Sequence, residues 1–322
     1  MVAEVSAQGA TGEVPQVFRK ARRSLGQAWR RVRCENPVVS RYGFNLVSTL
    51  RYRQNPPALS APAQDVVRTL RRDGVIVADS RALLGPDAAL LDRVQDRVRA
   101  LKAEHATVIE ERRAALARDG VGARSKDYLV ELLGTRPEVD PRDPLVQFAL
   151  QEQVLGIAEA YFETRVRLHD VNVWQNLATD APASKSQKWH RDLLEDTKIL
   201  KAFLYVDDVP AGAGPLRYVK GTNTPQGRKI KLPSQWDGIG FRVEDELIDA
   251  TFEEPVMVEA LGRAGDVAWA DTLGLHRGGH AKTVDRLVVM YTFCSPACCR
   301  PKSLVPAQGV SRADLPRVSL RR

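Results

Sequence analysis

The chain has 322 residues, 43% of them hydrophobic, enough for one large core or for one domain with extensions. Its formal charge of +8 is uneven: residues 1–60 hold ten Lys/Arg against three Asp/Glu, residues 298–322 hold six against one, and the span 61–297 is net acidic. A basic excess confined to the ends argues against nucleic-acid binding, and no apolar run approaches the ~18 residues of a membrane span.

In chain order, residues 1–15 are rich in Gly, Ala and Ser and lack the apolar core of a signal peptide, so the expectation is a disordered start on a soluble, cytoplasmic protein. Residues 16–34 carry Phe18, Ala21, Leu25, Trp29 and Val32 at helical spacing, with Arg19, Arg22, Arg23, Arg30 and Arg33 on the other face. Such a helix can touch an anionic membrane surface or an acidic partner weakly. The plainer reading packs it on the main domain with its basic face in water. Pro37, Pro56, Pro57 and Pro62 mark an extended connector. A short helix over 66–70 and a strand over 73–77 follow. Residues 86–118 then read as one or two helices with Leu90, Leu91, Val94, Val98 and Leu101 on one face, and His105 as an ordinary helix histidine. Residues 119–142 look like a loop, part of a lid. Residues 143–163 read as one amphipathic helix, capped by Asp140 or Asp143.

From Val166 the period changes to two. Val171, Val173 and Leu177 alternate with Asn172, Trp174 and Asn176. Short strands over 199–206, 216–219, 255–259, 266–270 and 285–293 are separated by Gly/Pro turns. The pattern predicts an α+β chain: a double-stranded β-helix, a cupin-like jelly roll, buttressed by N-terminal helices. The segment 224–254 reads as a long loop whose Trp236, Phe241 and Phe252 either pack or reach over a site. The expected boundaries are a basic extension at 1–60, a main domain at 61–297 and a basic tail at 298–322.

The chemistry concentrates around Trp189-His190-Arg191-Asp192. On a strand, His190 and Asp192 share a face and Arg191 points away. An imidazole and a carboxylate on one face are two-thirds of the 2-His-1-carboxylate arrangement that holds Fe(II) with open positions. Among the remaining histidines, His276 is the best third ligand and His280, behind two glycines, its rival. His169 is adjacent to Asp170, so on a strand the two point oppositely. Ten residues past His276, Arg286 stands within an apolar strand, where its fork can grip a carboxylate. Gln175, Asn176, Lys201 and Tyr205 are further candidates for contact with cosubstrate or substrate, Gln175 and Lys201 foremost. Trp269 and Asp271 are expected to line or support the site. Cys34, Cys294, Cys298 and Cys299 match no zinc-site spacing and read as reduced, partly buried thiols.

WHRD, then KAFLYVDDVPAGAGPLRYVKGT, then GDVAWADTLGLHRGG with Arg286, resembles the phytanoyl-CoA dioxygenase-like family of iron(II)- and 2-oxoglutarate-dependent oxygenases, over roughly residues 64–297. The resemblance implies Fe(II) on His190, Asp192 and His276, 2-oxoglutarate gripped by Arg286, and O2 as oxidant. It implies hydroxylation of an unactivated C–H bond in a small-molecule metabolite, with release of succinate and CO2. Relatives that halogenate have a small residue where this chain keeps Asp192, so hydroxylation is favoured. Lys220-Gly221-Thr222-Asn223 departs from the usual Pro-Gly-Ser-His, a change expected at the substrate mouth. Two other readings remain: a non-catalytic cupin-like binding protein docked through its basic N-terminal helix, which an intact triad argues against, and a zinc hydrolase, for which no general base is evident.

Overall fold

The computed structural model describes residues 29, 32–34, 36–120, 126–238 and 240–321. The readings of residues 1–15 and of most of the basic helix at 16–34 lie outside these. Strands in chain order are β1 (Val75–Asp79), β2 (Leu129–Glu131), β3 (Glu138–Val139), β4 (Arg167–Asn176), β5 (Leu200–Tyr205), β6 (Leu216–Val219), β7 (Gln235–Trp236), β8 (Phe241–Arg242), β9 (Met257–Glu259), β10 (Asp266–Asp271), β11 (His276–Gly278), β12 (Arg286–Cys294) and β13 (Val305–Pro306). A six-stranded antiparallel sheet runs β1-β10-β5-β12-β4-β2, and a three-stranded one runs β11-β6-β9. Bridges from His190 to His276 and from Trp189 to Val243 extend the smaller sheet.

Strand alternation splits the large sheet into two unlike faces. On one, Val171, Val173, Leu200, Leu204, Trp269 and Phe293 are buried against the helices. On the other, Tyr205, Ala268, Ala270 and Val288 pack with Leu216 and Tyr218 of the smaller sheet. The molecule is therefore layered as helices, large sheet, small sheet, with the inner face of the large sheet free to build a cavity where the small sheet does not cover it.

The helices follow from local signals. In Ala61–Asp73, Ser60 accepts a hydrogen bond from Ala63 N, Pro62 sits in the first turn, and Gly74 at φ 84° ends the helix. Its buried residues Ala63, Val66, Val67 and Leu70 have the spacing of one helical face. Residues 89–119 form two helices, Ala89–Glu104 and Ala106–Asp119, joined at His105, whose Nδ1 bonds Leu101 O.

Four expectations are corrected. The connector marked by Pro37, Pro56, Pro57 and Pro62 is not extended throughout but holds the helix Leu46–Gln54, and Pro62 belongs to the next helix. The helix expected over 143–163 is two, Pro144–Leu150 and Glu152–Phe162, because Gln151 turns extended (ψ 142°) and its side chain caps the second by accepting from Gln153 N and Val154 N. The 119–142 loop contributes β2 to the sheet edge. The 224–254 loop holds the β7–β8 hairpin and the helix Asp245–Thr251. In the basic segment 298–321, Leu304, Leu315, Val318 and Leu320 are buried in the helix-side core, and β13 pairs with β3. Among the described residues, no helix is long and apolar enough to cross a membrane.

Candidate metal centre and cavity

His190 and His276 exchange both backbone hydrogen bonds, at 2.8 and 2.9 Å, so they are a directly opposed antiparallel pair with side chains on one face. Their ring centroids are 4.3 Å apart. His190 Nδ1 lies 2.9 Å from Lys188 O and His276 Nδ1 lies 3.0 Å from Gly274 O. A carbonyl only accepts, so each Nδ1 carries the proton and each Nε2 keeps its lone pair. Burial pushes His190 well below the usual imidazole range and His276 to about 4, so both rings are neutral.

Asp192 leaves that ladder, its N–H donating out of register to Thr272 O at 2.9 Å. Its carboxylate nevertheless converges on the same point as the two imidazoles, although only His190 forms a β-bridge. Asp192 Oδ2 accepts from Thr272 Oγ1 at 2.6 Å and pairs with Lys201 Nζ at 2.7 Å. That leaves Oδ1, 3.9 Å from His190 Nε2. Burial would raise this carboxyl, but the Lys201 ammonium beside it holds it well below the usual carboxylate range. One ligand atom each from His190, Asp192 and His276 lies within 4.8 Å of the others. Two neutral nitrogens and one ionised oxygen, each oriented by a second hydrogen bond, fit a six-coordinate divalent metal that keeps open positions.

These side chains open into a cavity of about 490 Å³ between the sheets. The inner face of the large sheet supplies Trp174, Asn176, Lys201, Phe203, Arg286 and Met290. Arg286 is buried, and among the described residues its electrostatic neighbours are Tyr205 and Tyr128 rather than a carboxylate. A buried guanidinium without a counter-charge is costly and marks a place for an anion.

Other expected residues fall elsewhere. Gln175 faces the helix side, where its Nε2 donates to Asp285 Oδ2 at 2.9 Å, so it is no cavity residue; its neighbour Asn176 is. Lys201 lines the cavity with its ammonium on Asp192. Tyr205 lines it too, its hydroxyl donating to Ala260 O. Trp269 is buried in the helix-side core, stacked on Phe293. Asp271 is wholly buried, accepting from Tyr161 Oη at 2.6 Å. Thr222 and Asn223, expected at a substrate mouth, are instead buried and bonded, Thr222 Oγ1 accepting from Leu275 N and Asn223 Nδ2 donating to Leu70 O. His280 stands outside the triad. Trp236 and Phe241 form an exposed edge-to-face pair. Sequence reasoning missed Tyr128, Arg242 and Arg300, which reach the cavity from segments without a local signal.

No protein-family model and no curated protein matches the chain. Solved structures do. EctD from S. alaskensis, crystallised with 2-oxoglutarate and 5-hydroxyectoine, is 17% identical over 83% of this chain and 89% of its own, with a TM-score of 0.50. AviO1 from Streptomyces viridochromogenes Tue57 is 20% identical over 76% and 100%, with a TM-score of 0.46. SnoN, described as a non-heme alpha ketoglutarate dependent epimerase from nogalamycin biosynthesis, is 20% identical over 73% and 84%, with a TM-score of 0.44. At these identities the likeness is one of fold, and it is carried by EctD.

Proposed function

We propose that the protein is an Fe(II)- and 2-oxoglutarate-dependent oxygenase that hydroxylates an unactivated C–H bond of a small-molecule metabolite. One observation carries the reading: two neutral histidines and an ionised aspartate share one cavity with a buried arginine that has no carboxylate partner among the described residues. The chain passes repeatedly between the two sheets, from β5 to β6, from β9 to β10, and then through β11 back to β12, which supports taking the pair as a double-stranded β-helix. His190, Asp192 and His276 would hold the metal. Bound Fe(II) supplies the oxidative chemistry, in which O2 delivers one oxygen atom to substrate and one to 2-oxoglutarate, released as succinate and CO2.

The protein's own task is placement. Thr272 and Lys201 hold Asp192 Oδ2, leaving Oδ1 toward the imidazoles. Arg286 offers a fork for the far carboxylate of 2-oxoglutarate. Trp174, Phe203 and Met290 give the cavity apolar wall, while Glu131, Asp170 and Arg300 give it charge, a mixture suited to a polar metabolite of modest size.

The test is anaerobic titration with Fe(II) and then 2-oxoglutarate, followed by a substrate screen under O2 that reads succinate. Expected are metal-dependent binding of 2-oxoglutarate with a weak visible charge-transfer band, and succinate formed with hydroxylated product. A zinc-loaded protein that is active and indifferent to 2-oxoglutarate would overturn the reading.

A further inference from the structure

A second group of ligand-type side chains lies outside the triad, where β4 begins and β12 ends. One ligand atom each from His169, Cys294 and Cys298 lies within 4.8 Å of the others. His169 and Cys294 are buried, and Cys298 is partly exposed. His169 is only 2% exposed; its Nε2 lies 3.2 Å from Pro301 O and its Nδ1 is buried with no partner. Donation from Nε2–H to a carbonyl leaves the lone pair on Nδ1, the tautomer a metal ligand requires. The backbone N–H of Arg300 points at Cys298 Sγ at 3.4 Å, where it would support a thiolate.

Two simpler accounts leave something over. As plain core thiols beside a core histidine, the group strands a desolvated, unpaired acceptor in the interior. A Cys294–Cys298 disulfide would use both sulfurs and still leave Nδ1 unpaired. A cation uses all three atoms. We propose that His169, Cys294 and Cys298 form a second metal site, for a borderline-soft divalent cation of the zinc type. One imidazole nitrogen and two thiolates suit such an ion, with a fourth position left to water. The site would tie the start of β4 and the end of β12 to the 298–301 turn, which carries Arg300 into the cavity. The proposal does not rest on the oxygenase reading.

The test uses reduced, anaerobic full-length protein titrated with Co2+ alone, because thiolate-to-cobalt absorption reports sulfur ligation and the triad contains no sulfur. The near-ultraviolet band is expected in the wild type and in His276→Ala, and Zn2+ should bleach it. In Cys298→Ser, substituted at the most exposed of the three ligands, the band should disappear, and the protein should hold one metal equivalent fewer than wild type. In His169→Gln, Co2+ affinity at the sulfur site should fall by at least about tenfold. Zn2+ should also slow alkylation of Cys298 in the wild type, a readout that needs no variant to fold. No band in reduced wild type, a band unchanged in Cys298→Ser, or alkylation indifferent to Zn2+ would each overturn the proposal.

Discussion

Asp192 illustrates how much of a ligand's behaviour lies behind it. Its Oδ2 is held by Thr272 and Lys201, so only Oδ1 is left to face the two imidazoles. Thr272→Val removes one of those bonds with little change of shape. Metal affinity should fall about 10- to 100-fold while the fold persists, measured by competition with a chelator; unchanged affinity would mean that Lys201 alone orients the carboxylate. Arg286→Ala should weaken 2-oxoglutarate binding by about 2–5 kcal/mol without loss of metal, read from the same anaerobic titration. Equal affinity in the variant would point to another cation. Arg191 points away from the triad but is no idle neighbour. Its guanidinium donates to Thr222 O, Leu273 O and Gly227 O, stitching together the loops behind His276. Arg191→Ala should therefore lower unfolding stability by about 2–4 kcal/mol and disturb the metal site through the backbone. A thermal melt matching wild type would contradict this.

At the scale of elements, β4 and β12 define the cavity because their period of two sorts side chains to opposite sides of one sheet. Arg286 pairs with Asn176, and Leu287 with Gln175. Arg286 and Asn176 thus meet on the inner face, while Leu287 and Gln175 go to the helices. The same logic makes the 298–321 segment part of the fold. Burial of Leu304, Leu315, Val318 and Leu320 contributes roughly 1.5–3 kcal/mol each, against a whole-domain stability of about 5–15 kcal/mol. A chain ending at Ser303 should lose its cooperative unfolding transition, as followed by circular dichroism. A native-like melt in that truncation would show the segment to be dispensable.

For the whole molecule, buried histidines dominate the acid response. His169 and His276 are each lowered by burial to about 4, against an ordinary value of 6.5. The unfolded chain takes up these protons first. Stability of the metal-free protein should thus fall as pH drops from 6.5 toward 4, by about 3 kcal/mol per histidine, and level off below. Asp196 opposes this, because burial raises it to about 6, so its contribution is present below 3.8 and lost as pH rises through 6. Two histidines of similar shift, with His190 lowered as well, outweigh one aspartate. Urea unfolding between about pH 7 and about pH 4.5 should show the decline, with a slope about one proton smaller in His169→Gln. Stability rising toward acid would mean that Asp196 prevails.

What the sequence determined by itself was local. Apolar spacing and Gly/Pro turns place the long strands within two residues, whereas the helix expected over 66–70 runs Ala61–Asp73; the i, i+2 relation of His190 to Asp192 needs only local chain geometry. The order of His190, Asp192, His276 and Arg286 along the chain was readable for the same reason. Tertiary structure decided everything that depends on what a residue meets. Which face of β4 looks inward was settled by the second sheet, so Asn176 rather than Gln175 reached the cavity. Lys201 met Asp192 because β5 and the His190 segment approach from different sheets. The scattered leucines of 298–321 carry no period to announce their burial. His169, Cys294 and Cys298 converge only because β4 and β12 pair, and a spacing rule cannot see ligands that a sheet brings together from distant parts of the chain.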